Sequence, residues 1–181
     1  MKWKASWSIW LVGSIALWLL SACAQEKVFT QPNSAMEPTV FAGEKFAVDM
    51  NTYRNATPGR GDVVVVRHDD ALLLKRVIAV AGDTVEGADF QVFLNGVALH
   101  EEFIQHTGKD SVLRSPSSSF LKTFKPAKVS ANQLFVMGDN RDFSDDSRDS
   151  RFGTVPVTDV MGKAVRIVKS SDPRRAGLTI H

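Results

Sequence analysis

Residues 5 to 24, ASWSIWLVGSIALWLLSACA, carry no charged side chain and follow Lys2 and Lys4. This stretch splits the chain into two physically different parts. As a helix, about 20 residues rising ~1.5 Å each cross the roughly 30 Å hydrocarbon core of a bilayer. Trp3, Trp7, Trp10 and Trp18 suit interfacial or lipid-facing positions. Lysines before the span and Glu26 after it favour an N-terminus in the cytoplasm, because positive residues resist translocation. Residues 1–24 are therefore expected to form a single-pass membrane anchor, with residues 25–181 on the extracytoplasmic side.

Two other outcomes fit the same residues. A lysine-rich start, an apolar stretch and small residues also describe a cleavable secretory signal. LSAC, Leu20 to Cys23, is similar to a bacterial lipobox, whose cysteine becomes a lipidated N-terminus. Anchor and lipoprotein agree on a membrane-attached domain outside the cytoplasm. Cys23 is the single cysteine, so residues 25–181 hold no internal disulfide. With 181 residues and 44% hydrophobic content, the chain suits one globular domain behind the anchor. The net charge of +2 is scattered rather than clustered, which gives no footprint for nucleic acid.

After Glu26 no stretch keeps a helical period. KFAVDM (45–50) alternates, and GDVVVVRH (61–68) is β-branched after the turn cluster TPGRG. ALLLKRVIAV (71–80) is a long apolar run holding two cations. FQVFLNGVAL (90–99) is two alternating runs around Asn95-Gly96, the pair that supplies the positive φ angles of a type I′ hairpin turn. NQLFVMGDN (132–140) reads as a strand entering a turn, and DVMGKAVRIV (159–168) as a last strand. Residues 107–133 look less regular, with SPSSS (115–119) as an exposed loop, and the tail SSDPRRAGLTIH as peripheral. The fold class predicted is mainly β: antiparallel, barrel- or sandwich-like, behind one N-terminal membrane helix.

Lys75 is the most informative residue. On a strand, Leu73, Lys75 and Val77 share one face, and Leu74, Arg76 and Ile78 the other. A charged amine among aliphatic side chains is costly to desolvate. Either it snorkels to water, or burial lowers its pKa until it is a neutral base. Arg76 stays protonated and reads as a surface or ion-pair cation. GDNRDFSDDSR (138–148) is a turn-rich loop in which Asp146 and Arg148 can pair, while Ser144 can either cap the loop or aim its hydroxyl into a cleft. The histidines of HEEFIQH, His100 and His106, match no trusted zinc spacing, and DFSDDSRD lacks the glycine and terminal glutamate of a calcium loop. No metal or other cofactor is expected.

The order of segments is itself a pattern. An apolar span, PNSAMEPTV, GDVVVV, LLLKRVIAVAGDTV, MGDNRDFSDDSR and FGTVP follow one another. This resembles bacterial type I signal peptidases, the S26 family, over most of the chain. The resemblance implies a membrane-bound serine endopeptidase whose cleft faces the membrane. It would remove signal peptides from exported precursors with a Ser–Lys dyad. Lys75 matches the general base, and Ser144 the serine that orients it. Gly138 to Asp142, with Asp146 and Arg148, match the supporting loop. The implied partners are signal peptides and membrane lipid.

The match departs within the 33–36 turn. The nucleophilic serine of the family sits immediately before the Met, where this chain has Ala35. Asn33 occupies the place of a serine that donates to the oxyanion, and its amide is a substitute donor. Three readings stand open. Ser34 is the nucleophile on a different loop path; or Ala35 faces Lys75 in a non-cutting, peptide-binding envelope protein; or the serine has been engineered out. Met36 and Phe41 are candidates to line the cleft or meet lipid, with core packing as the alternative, and Pro38 is expected to stiffen the turn.

Overall fold

The computed structural model describes residues 25–104 and 123–181. The expected membrane segment with Cys23, the SPSSS loop and His106 lie outside the described residues. Among the described residues, no helix is long and apolar enough to cross a membrane.

Eleven strands form among the described residues. They are β1 (Glu26–Thr30), β2 (Lys45–Asp49), β3 (Val63–His68), β4 (Ala71–Val80), β5 (Thr84–Ala88), β6 (Gln91–Leu94), β7 (Val97–Ala98), β8 (Phe124–Lys128), β9 (Gln133–Met137), β10 (Val155–Pro156) and β11 (Val160–Lys169). Seven form one sheet in the order β1-β2-β11-β3-β4-β9-β10, and four form a second in the order β7-β6-β5-β8. Every pairing is antiparallel. The expected antiparallel β class is what the described residues adopt.

The period of two in GDVVVVRH decides where the core lies. Val63 and Val65 join Met36, Val40, Phe46, Val48, Leu74 and Ile167 on one face of the large sheet. Val64 and Val66 join Val77, Leu134, Val136 and Val155 on the other. Both faces are therefore covered, which is why these strands read as continuous apolar runs. A third cluster, with Ile78, Ala79, Val85, Val92 and Phe135, joins the two sheets. The register of β4 against β9 shifts between Val77 and Ala79, a bulge that lets Ile78 and Ala79 both enter this third cluster. The Asn95-Gly96 turn forms as expected, with φ of 54° and 80°.

Several expectations are corrected. The strands β1, β5, β8 and β10 fall where no strand was predicted, β8 inside the stretch read as irregular. Their short, partly charged sequences lack a clean alternation, and pairing with neighbours organises them. Of the alternatives open for Met36, core packing is the one adopted, since its side chain is wholly buried. The tail is not peripheral. Thr179 bridges to Arg166, the Ile180 N–H donates to the Val165 carbonyl at 3.0 Å, and the Ile180 side chain is buried in the first cluster. A single apolar residue among polar ones gave no periodic signal, yet it docks the segment on β11.

This docking predicts a measurable cost. Ile180→Ala should destabilise the folded domain by about 2–5 kcal/mol, the range for truncating a buried isoleucine. In urea it should lower the unfolding midpoint without changing the slope. A midpoint unchanged from the parent would show that the tail is dispensable.

Candidate active site

Strand β4 presents adjacent cations to opposite faces of the large sheet. Lys75 pairs across the ladder with Val64, and Arg76 with Val63. Lys75 is 3% exposed, so it does not snorkel to water. Its Nζ donates to the Ser144 hydroxyl at 2.8 Å. Burial lowers the Lys75 pKa; Asp146 pulls it back up and Arg148 pushes it down, leaving it below the ordinary lysine value. On the far face, Arg76 is 2% exposed and not a surface cation. It grips Asp139 through two bonds, Nε to Oδ1 at 2.8 Å and Nη2 to Oδ2 at 2.7 Å. Its Nη1 also donates to the Gly61 and His181 carbonyls.

The loop 138–148 supplies an acid to each cation. Asp139 faces Arg76. Asp146 lies near Lys75 and pairs with Arg148, Nε to Oδ1 at 2.8 Å and Nη2 to Oδ2 at 2.9 Å. Burial alone would raise the Asp146 carboxyl, but the charge and hydrogen bonds of Arg148, with help from Lys75, hold it at about 2. Asp146 also accepts the Gly138 N–H at 3.0 Å, and Arg148 Nη1 donates to the Arg141 carbonyl at 2.8 Å. The loop is thus a closed frame of charge-assisted bonds around Ser144.

The turn at 31–44 meets this frame at Ala35. The Ala35 carbonyl accepts the Asn140 N–H at 3.1 Å. A Cβ placed on Gly138 would lie 2.3 Å from the Ser144 Oγ and 2.5 Å from the Ala35 oxygen. Only a glycine fits between them, and the backbone of residue 35 therefore stands directly beside the Lys75–Ser144 pair. Ala35 is 5% exposed, whereas Ser34 is half-buried. Among the described residues, the Lys75 amine bonds to Ser144 and not to Ser34. The Asn33 Oδ1 accepts the Ala35 N–H at 3.1 Å and a bond from Gln31 Nε2, an Asx turn that fixes the loop. In this arrangement Asn33 turns its oxygen, not its amide N–H, toward residue 35.

The structure thus brings together Lys75, Ser144, Asp146, Arg148, Asn33 and Ala35, with Ser34 adjacent. Phe41 is partly exposed, and the Arg175 guanidinium sits 4.3 Å from its ring centre. Sequence reasoning missed Glu101. It forms a bidentate ion pair with Arg141, both side chains buried, and so ties the segment after β7 to the loop. Nothing in the local pattern HEEF marks it; only the partner across 40 positions does. His100 pairs instead with exposed Glu102, and no group of His, Cys, Asp or Glu among the described residues could hold a metal ion. A cavity of about 860 Å³ lies beyond the loop, lined by Phe124, Phe135, Ser147, Arg148 and Arg151 among others. Neither Lys75 nor residues 33–36 line it, so this recess is not the centre just described.

The sequence is similar to known proteins over most of its length. The family described as signal peptidase, peptidase S26, matches residues 4–169. Signal peptidase I S of Bacillus subtilis (strain 168) is 33% identical over 142 residues, 78% of this chain and 77% of that protein. Signal peptidase I P of Bacillus subtilis subsp. natto is 32% identical over 154 residues, 84% of this chain and 81% of that protein. The probable signal peptidase I of Mycobacterium leprae (strain TN) is 30% identical and spans 92% of this chain and 77% of its own. A crystal structure of a signal peptidase I from Enterococcus faecalis V583 is 32% identical, with a TM-score of 0.45, covering 59% of this chain and 95% of that one. The chain belongs to the S26 signal peptidase family.

Proposed function

We propose that the chain is a membrane-held serine endopeptidase of Ser–Lys type that removes signal peptides from exported precursors. Residues 1–24, as an anchor or through a lipid on Cys23, would hold residues 25–181 at the extracytoplasmic membrane surface. One observation carries the reading: a lysine amine, 3% exposed, fixed to Ser144 at 2.8 Å beside the turn that bears residues 33–36.

The proposed chemistry runs as follows. A neutral Lys75 donates one N–H to Ser144, which leaves its lone pair free and aimed. Ser34, the hydroxyl of the turn, loses its proton to Lys75 as its Oγ attacks the scissile carbonyl. Backbone N–H groups of the turn, with the Asn33 amide once rotated, receive the oxyanion. The Lys75 ammonium then returns the proton to the leaving amine. Water, deprotonated by the same amine, hydrolyses the acyl-enzyme. Asp146 and Arg148 act through Ser144 by holding the loop. The substrate lies extended along a cleft strand through main-chain bonds.

A second reading, a signal-peptidase-like protein that binds peptides without cutting, is favoured by a specific contact. Ala35, not Ser34, is the buried residue against Gly138 and Asn140, and it has no hydroxyl. Two substitutions separate the readings. Under the first, Ser34→Ala abolishes cleavage of a model precursor; under the second, the parent is inert and Ala35→Ser creates cleavage.

In whichever form cuts, activity depends on free base. Lys75 is protonated below its lowered pKa and neutral above it, so kcat/KM should rise about tenfold per pH unit on the acid side and level off below the usual lysine range. Lys75→Ala should remove cleavage at every pH while leaving the fold. A flat profile would exclude Lys75 as base.

Gly138→Ala should be as damaging as loss of the base, because the added methyl collides with Ser144 and the Ala35 carbonyl. We expect cleavage to fall by about 10²-fold or more, as for misplaced reacting groups. Circular dichroism should show the sheets retained.

A further inference from the structure

The turn carrying residues 33–36 is held from behind by a side chain that lies outside the residues matched to the family. Arg175 follows residue 169, where that match ends. It sits in a short 3₁₀ turn, Pro173–Arg175, in the segment that Ile180 docks on β11. Its Nε donates to Glu44 Oε1 at 2.6 Å and its Nη2 to Glu44 Oε2 at 3.1 Å. The same Nη2 donates to the Thr39 carbonyl at 2.9 Å and the Pro38 carbonyl at 3.3 Å. The guanidinium plane also covers the Phe41 ring. One side chain therefore contacts four residues of the turn, and Lys could not reproduce the planar fork.

Those contacts continue toward the reacting groups. Thr39 donates through its hydroxyl to Asp139 Oδ2 at 2.5 Å, and Asp139 is gripped by Arg76. The next residue, Asn140, gives its N–H to the Ala35 carbonyl. Glu44 is itself buried, and its carboxylate caps the Phe41 N–H at 2.8 Å. The turn is thus clamped between two arginines, Arg76 on the sheet side and Arg175 on the tail side.

We propose that Arg175 is a positioning residue that fixes the 33–44 turn, and with it residue 35, against the Lys75–Ser144 pair. Its catalytic consequence rests on the proposed peptidase function; its effect on the turn does not. Arg175 touches no reacting atom. It acts through Glu44 and the Thr39 carbonyl, so its loss should loosen the turn and spread the distances between residue 35 and the amine. A merely structural arginine would lower stability everywhere alike.

The test uses the full chain in detergent or vesicles, with Arg175→Ala and Arg175→Lys. Hydrogen exchange is followed at the Ala35, Val40 and Glu44 amides, which bond to the Asn33 side chain, Met36 and Phe41. Arg175→Ala should speed their exchange at least about tenfold while amides of β3 and β4 keep their protection. Arg175→Lys should fall between the two. In whichever of the parent and Ala35→Ser cleaves precursor, Arg175→Ala should lower kcat by about 10- to 100-fold with KM within twofold. Unchanged exchange in the turn, or a uniform rise across the whole chain, would overturn the proposal. If neither form cleaves precursor, the peptidase reading falls, and the exchange pattern still decides the role of Arg175.

Discussion

Everything at this site turns on burying one amine. A lysine ammonium taken out of water is destabilising by several kcal/mol unless it is neutralised or surrounded by compensating groups. Lys75 is moved toward both forms of relief. Its pKa is lowered by burial, and Ser144 accepts its hydrogen bond at 2.8 Å. The aliphatic residues around it, Leu73, Val64 and Val77, belong to strands covered on both faces, so solvent cannot relax the situation. The sheet thus has to be complete before the amine acquires its chemistry. Fold and proposed function share one set of packed valines.

The alternation of a β-strand then sorts two charges that are neighbours in sequence. Lys75 and Arg76 point to opposite faces, and each face receives a different acid from the same loop. Asp139 neutralises Arg76 through a bidentate bond. Asp146 is occupied by Arg148 and only biases Lys75 from nearby. The distinction matters chemically. A direct carboxylate bond to Lys75 would stabilise its ammonium and raise its pKa. A carboxylate already bound to an arginine leaves burial in control of the amine. The loop's dense charge, read from the sequence as a turn-rich loop with an internal ion pair, is a buried framework with Asp139 and Asp146 fully enclosed.

Much of this was legible in the sequence, for identifiable reasons. β2, β3, β4, β9 and β11 announce themselves by β-branched runs, and Asn95-Gly96 by its turn chemistry. Lys75 stands out because a cation inside LLLKRVIAV has few physical resolutions. The pairing of Asp146 with Arg148 is local and readable. What escaped depends on partners far away in the chain. Glu101 meets Arg141 across 40 residues, and Arg175 meets Glu44 across 131. Neither has a periodic or motif signature. Ile180 is one apolar residue in a polar tail, so its docking leaves no pattern to detect. Met36 stayed open between cleft and core because its neighbours carry the chemistry, and its side chain serves the core.

The departure at residue 35 can be weighed against the space around it. The Ala35 carbonyl and the Ser144 hydroxyl approach so closely that Gly138 must lack a side chain. Such an approach constrains the backbone of the turn, not the identity of the side chain at 35. A hydroxyl there would add one small polar atom to a residue whose carbonyl already lies beside Gly138 and Ser144. Among the described residues Ser34 makes no bond to the Lys75 amine, and a one-residue rotation of the turn is one way it would be brought there. Such a rotation would disturb the two bonds that Ala35 makes, its N–H to the Asn33 side chain and its carbonyl from the Asn140 N–H. Each lost bond of this kind is worth about 1 kcal/mol, more if the groups stay buried. A difference between a hydroxyl at 34 and one at 35 would then lie in the turn, where an extended peptide could offset it by new main-chain bonds.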